Sequence, residues 1–185
     1  MTFRILPRQT RLMTALLRAV RHDAGVVATE FALILPVLLL ILLGVVELSN
    51  VMLAKRKLLN AVQSASDLIG QQTDVTVTDL GSIYLAADLT MTPLDTTSMQ
   101  LGIASVRFND ITGAPVLDWT DSYNGGNVYL PLDKAVGRGE AGASIVIVSG
   151  TYFYQPLIKL IIPASFNLTE VAYVRPRKVS YIMKF

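Results

Sequence analysis

The chain of 185 residues contains no cysteine. Disulfide frameworks, thiol nucleophiles and thiolate metal sites are therefore excluded. Histidine is almost as scarce, with His22 the single example, and everything after Gly25 lacks both residue types. That removes a Ser-His-Asp triad, a Cys-His dyad and a zinc site built on histidines or thiolates. Charge is also sparse: 16% of residues are charged and 52% are hydrophobic, against roughly 25% charged in average soluble domains. The deficit points to a membrane segment rather than to an oversized core. No glycine-rich phosphate loop is present, and "GGN" at Gly125 reads as a turn.

The remaining routes to catalysis are thin. Asp118 and Asp121 flank Trp119, and paired acids can serve as general acid and base or hold calcium. Their spacing fits no loop with fixed ligand positions, so solvated turn residues are the plainer reading. Ser144 or Ser149 with Lys159 is a formal Ser-Lys pair without a supporting motif. Trp119, Tyr152 and Tyr154 read as core and sheet-face packing. The sequence thus predicts no enzyme, no catalytic residues, no metal, no cofactor and no small-molecule substrate.

The charge that exists is unevenly placed. Residues 1–25 carry Arg4, Arg8, Arg11, Arg18 and Arg21 against Asp23, so the net +2 divides into +4 there and −2 in the rest. Beyond the short Lys55-Arg56-Lys57 cluster no basic patch of the kind nucleic-acid binders need is apparent outside this leader. No broad basic face remains for nucleic acid. Within the leader, "RLMTALLRAV" has loose amphipathic spacing and reads as the cytosolic flank of an anchor.

From Phe31 to Val46 no charge occurs. With its neighbours this run supplies a helix over 26–54, beyond the roughly 20 residues that a 30 Å hydrocarbon core requires. Pro36 removes one backbone donor, a break tolerated in membranes. The arginine-rich flank predicts a cytoplasmic N-terminus. No small-residue A-x-A site follows the run, so it is not an ordinary secretory signal.

Beyond the anchor, Leu58, Val62, Ala65 and Ile69 recur at helical spacing, with Asn60, Ser64 and Asp67 on other faces. This predicts an amphipathic continuation over 55–70, capped by Gly70. "QQTDVTVT" reads as a connector. Thr78 or Asp79 is the expected N-cap of a second helix with Leu80, Ile83, Tyr84 and Ala87 on one face, ended by "TPLD" at Pro93. Strands are expected at "MQLGIASVRF", "VLDW", a short "VYLPLD", "ASIVIVSGTYFYQ" and "SFNLTEVAYV", with "LIKLIIP" as an apolar excursion and "RPRKVSYIMKF" as a mixed tail. The expected fold is α+β: a long N-terminal transmembrane and amphipathic helix, a short second helix, and an antiparallel sheet of about four strands. A domain over 71–185 would carry that second helix and the sheet.

Two acids belong to the anchor, Glu30 at its mouth and Glu47 as a second intramembrane acid. Ionisable residues in a membrane segment are costly and are functional candidates by default. Were the chain cut after Gly25, Val26 would gain a free α-amine. Val26 and Glu30 would then stand at i and i+4 on one helix face. A carboxylate in the first turn also suits the positive end of the helix dipole. Amine and carboxylate would neutralise one another within a chain or between neighbours.

A basic leader, Gly25, four residues, Glu30, the aromatic Phe31 and an apolar helix together resemble the processing site of type IV pilin-like proteins. The longer string "GVVATEFALILPVLLLILLGVVEL" resembles the TadE-like minor pilins, or pseudopilins, of the tight-adherence (Tad, or Flp) pilus system. Glu30, Phe31, Ala32, Pro36, Gly44, Glu47 and Leu48 carry the match. "ASDLIGQQTDVTVTDL", "VLDWTDS", "YFYQPL" and "AYVRPR" look like later landmarks of the family.

The resemblance implies cleavage between Gly25 and Val26 by a membrane-embedded prepilin peptidase. It implies contact with the Tad/Flp assembly platform and other minor pilins, and a minor or assembly role in an adherence pilus. The implied location is the bacterial inner membrane, single pass, with an extracytoplasmic or periplasmic C-terminal domain, in the fibre or at its base. The alternative is an uncleaved, single-pass, signal-anchored envelope protein that binds or scaffolds.

Overall fold

A computed structural model describes residues 24–125 and 131–185. The leader's amphipathic spacing therefore lies outside the described residues. The chain divides into two compact units, Met1–Val46 and Glu47–Phe185. Helix α1, Ala24–Ile69, is 46 residues long and includes Pro36. It is long and apolar enough to cross a membrane. Over 25–42 every side chain is exposed, large apolar ones such as Phe31, Leu33 and Ile41 included.

In the second unit the same helix is amphipathic. Ala54, Leu58, Ala61, Val62, Ala65 and Ile69 are fully buried, while Asn60 and Asp67 are exposed. This is the expected stripe, with Ala61 added between its members and Ala54 before them. Small residues allow the helix to lie close to the sheet. A methyl group built on Gly150 would stand 2.5 Å from Val62 Cγ2 and 3.2 Å from Leu58 Cδ1. Gly70 follows the last helical residue and donates its N–H to Ser66 O at 3.0 Å.

Helix α2, Val77–Met91, begins earlier than expected. Its N-cap is Thr76, neither Thr78 nor Asp79. Asp79 N–H donates to Thr76 Oγ1 at 3.3 Å, and Thr76 N–H donates to Asp79 Oδ2 at 2.9 Å. Asp79 therefore closes the capping box from the third helical position instead of opening the helix. Thr76's hydroxyl, then its N–H, hold the Asp79 carboxyl below its usual value. Leu80, Ile83, Tyr84 and Ala87 are buried as expected, together with Met91.

Strands β2 (Met99–Phe108), β3 (Pro115–Tyr123), β4 (Ser144–Tyr154) and β5 (Phe166–Val174) form an antiparallel sheet in the order β3-β2-β4-β5. The central strands β2 and β4 are buried along nearly their whole length. Alternation sorts their side chains onto two faces. Ile103, Val146 and Val148 join the core with α1 and α2, whereas Val106, Ile145 and Ile147 cluster with Phe108 and Ala135 on the other face.

The edge strand β3 is longer than "VLDW". It carries a bulge at Asp118, since Ser105 faces Trp119 and Val106 faces Leu117. Its turn begins with Asn124 and Gly125, both at positive φ. The strand expected at "VYLPLD" is replaced, in its described part, by a helical turn α3, Leu132–Ala135, closed by Lys134 N–H to Pro131 O at 3.0 Å. Val128 to Leu130 lie outside the described residues. The connector and the tail also pair: β1 (Asp74–Val75) and β6 (Met183–Lys184) form a two-stranded parallel ladder.

Candidate functional site

Helix α1 starts at Ala24, so Gly25, Val26, Glu30 and Phe31 are all helical and all exposed. Val26 and Glu30 stand four residues apart and so share a face. Thr29 Oγ1 donates to Val26 O at 2.7 Å, the usual back-bond of a helical threonine.

Glu47 is wholly different. It has no exposed surface and belongs to the second unit. Tyr154 Oη donates to its Oε1 at 2.8 Å, Leu157 N–H to the same oxygen at 3.3 Å, and Ile158 N–H to Oε2 at 3.0 Å. An isolated buried carboxylate is strongly disfavoured, and donors on both oxygens offset the lost hydration.

The donors come from the end of β4 and the loop that follows it. Tyr154 is the last residue of the strand, and its ring packs on Phe166 at 5.6 Å. The chain bends at Leu157, just after Pro156, and the N–H groups of Leu157 and Ile158 reach the carboxylate. Burial, then the Glu47 hydrogen bond and charge, push the Tyr154 phenol up to about 12. The phenol therefore remains a donor across the physiological range. Beside this cradle lies a cavity of about 320 Å³, lined by Asn50, Leu53, Leu94, Asp95, Tyr152 and Leu157 among others.

Residues 25–67 match the family model of TadE-like proteins. Over this segment the chain is similar to that family. The match opens on Gly25 and includes Val26, Glu30, Phe31 and Glu47, so it spans the predicted processing motif and the buried acid together. No curated protein and no solved structure matches the chain.

Outside the TadE-like segment the other candidate side chains have structural partners. Asp121 accepts from Tyr84 Oη at 2.9 Å and pairs with Lys184 at 2.7 Å. Burial first, then Asp121, raises the Tyr84 phenol well above its ordinary value. Lys184 also lies 5.9 Å from the Trp119 ring centre, and Trp119 Nε1 donates to Ile182 O at 2.8 Å. This group ties the C-terminal strand to β3 and α2. Asp118, the bulged residue, is exposed and has no part in it. Ser144 and Ser149 are buried in β4, whereas Lys159 is exposed in the loop after it.

Sequence reasoning named Glu47 but not its partners. The signal available was "YFYQPL", which holds both Tyr154 and Leu157. Glu47 and Tyr154 are 107 residues apart, and periodicity does not join residues at that separation.

Proposed function

We propose that the chain is a minor pilin, or pseudopilin, that takes part in assembly of a Tad (Flp) adherence pilus. In this reading a prepilin peptidase cuts between Gly25 and Val26. The apolar part of α1 is held in the bacterial inner membrane with its N-terminus cytoplasmic and its C-terminal unit outside the cytoplasm. The protein acts by assembly with the Tad platform and other minor pilins, not by catalysis. Glu30 neutralises the new α-amine of Val26 when helices pack.

The observation that carries the reading is the TadE-like match itself, which begins on Gly25 and continues through the Gly-x4-Glu-Phe motif along α1. The exposed apolar surface of residues 25–42 supports it, because such a surface needs lipid or neighbouring helices to cover it. The test is the mass of the protein extracted from its native membrane. A chain starting at Val26 is expected, and an intact chain starting at Met1 would leave only the uncleaved, signal-anchored alternative. Glu30→Ala is expected to insert normally and to lose assembly; normal pili from that strain would remove the role given to Glu30.

A further inference from the structure

The loop between β4 and β5, residues 155–165, joins two adjacent antiparallel strands with eleven residues. Connections of this kind usually take about 2–5 residues. Its centre reads Pro-Leu-Ile-Lys-Leu-Ile-Ile-Pro. Leu157 is 79% exposed and Leu160 is 73% exposed. A loop that is both this long and this apolar needs a partner for its leucines.

Its attachment says what that partner is. Leu157 and Ile158 donate their backbone N–H groups to Glu47. Glu47 is the residue immediately after the charge-free run Phe31–Val46. The first basic residue beyond it, Lys55, is eight residues on, about 12 Å along a helix. Between them Leu48, Met52 and Leu53 are exposed, and Leu53 shares the lining of one cavity with Leu157. The loop is therefore fixed at the level where α1 is still apolar, before its first cations.

The loop's own chemistry suits that depth. Pro156 and Pro163 have no N–H to satisfy. Ile161 and Ile162 donate to Ile158 O at 3.0 and 3.4 Å. Few free donors remain to oppose transfer into a weakly hydrated layer. Lys159 is exposed between the two exposed leucines, and a lysine so placed can lay its stem along apolar surface while its ammonium stays at headgroup level.

We propose that residues 156–162 are a second membrane contact: a loop that dips into the headgroup and upper acyl region of the leaflet in which the apolar run of α1 ends, held there by the Glu47 carboxylate. The proposal rests on the anchor reading of α1. It makes Glu47 the residue that fixes the loop to α1.

The cysteine-free sequence makes the test direct. Single substitutions Leu40→Cys, Leu160→Cys and Ile111→Cys are labelled with a nitroxide in the full chain, reconstituted in phosphatidylethanolamine–phosphatidylglycerol bilayers. Collisions with oxygen, which concentrates in lipid, are compared with those of a water-soluble nickel chelate. Ile111 is 93% exposed in the turn after β2 and serves as the aqueous reference. The expected result is an oxygen-to-nickel ratio at position 160 well above that at 111 and moving toward that at 40. Trp119 emission reports that each variant is folded, and Leu157→Cys replaces Leu160→Cys if that signal changes. A lipid ratio at 40 with an aqueous ratio at 160 overturns the loop contact and leaves the anchor intact. An aqueous ratio at 40 overturns the anchor and the loop together. Protection from both reagents with dipolar broadening at 160 assigns the loop to a second copy of the chain and overturns the lipid contact.

Discussion

At the residue scale, the decisive group is Glu47, a carboxylate with no exposed surface and neutral donors on both oxygens. Removing one donor leaves the charge in place with fewer partners. Tyr154→Phe is expected to destabilise the second unit by about 1.5–3 kcal/mol, the usual range for a hydrogen bond to a charged group. Glu47→Gln turns an amide N–H₂ toward one of the donors, and a loss of about 1–3 kcal/mol is expected. Urea unfolding followed by Trp119 emission measures both.

The same bond gives a pH signature. The Tyr154 phenol is raised from 10.0 to about 12, so between those values the unfolded chain releases a proton that the folded chain keeps. Its contribution is whole below pH 10 and is lost as pH rises toward 12. Tyr84, raised by burial and by Asp121, acts in the same direction. At the acid end the sign reverses. Asp79 is held below 3.8, so its capping contribution is present above that value and fades below it. Thermal unfolding across pH is expected to show a loss of stability at both ends. A midpoint unchanged between pH 9 and 12 would contradict the tyrosine assignments.

At the element scale, α1 approaches β4 closely at Gly150. A Cβ there would meet Val62, Leu101 and Leu58 within 2.5 to 3.2 Å. Gly150→Ala is expected to cost about 1–3 kcal/mol, the range for overpacking a filled core. The thermal midpoint measures it, with Gly81→Ala on open helix surface as the control. Elements of this kind were readable from the sequence wherever burial has a period. The stripe Leu58–Ile69, the inner face of α2 and the alternating β5 follow from it, β2 and β4 were legible as apolar runs, and β3 only in part, as "VLDW". The bulge at Asp118, the two-residue strands β1 and β6, and the turn Leu132–Ala135 have too few residues to show one. The cap at Thr76 was misplaced because Asp79 is itself a good capping residue, and only geometry tells which end of the box it holds. The site divides the same way. Gly25, Val26, Glu30 and Phe31 form a contiguous motif that is legible as text, whereas the cradle of Glu47 is assembled by the β4 turn and is invisible until the chain folds.

At the scale of the whole molecule, helix α1 belongs to two environments. Its residues from Ala54 to Ile69 are core of the second unit, with six side chains fully buried. A fragment of residues 71–185 keeps α2 and every strand but loses that layer. Deleting a single buried leucine or isoleucine side chain costs about 2–5 kcal/mol. The loss of Leu58, Val62 and Ile69 together with three alanines is therefore comparable with a typical domain stability of about 5–15 kcal/mol. The 71–185 fragment is expected to lack a cooperative thermal transition and to aggregate through the bared face of β2 and β4. A fragment starting at Glu47 retains the layer and the Tyr154 bond, and it is expected to melt in one step. Differential scanning calorimetry of the two fragments decides the matter. A sharp transition in 71–185 would mean that the sheet and α2 hold themselves together and that α1 is only laid upon them.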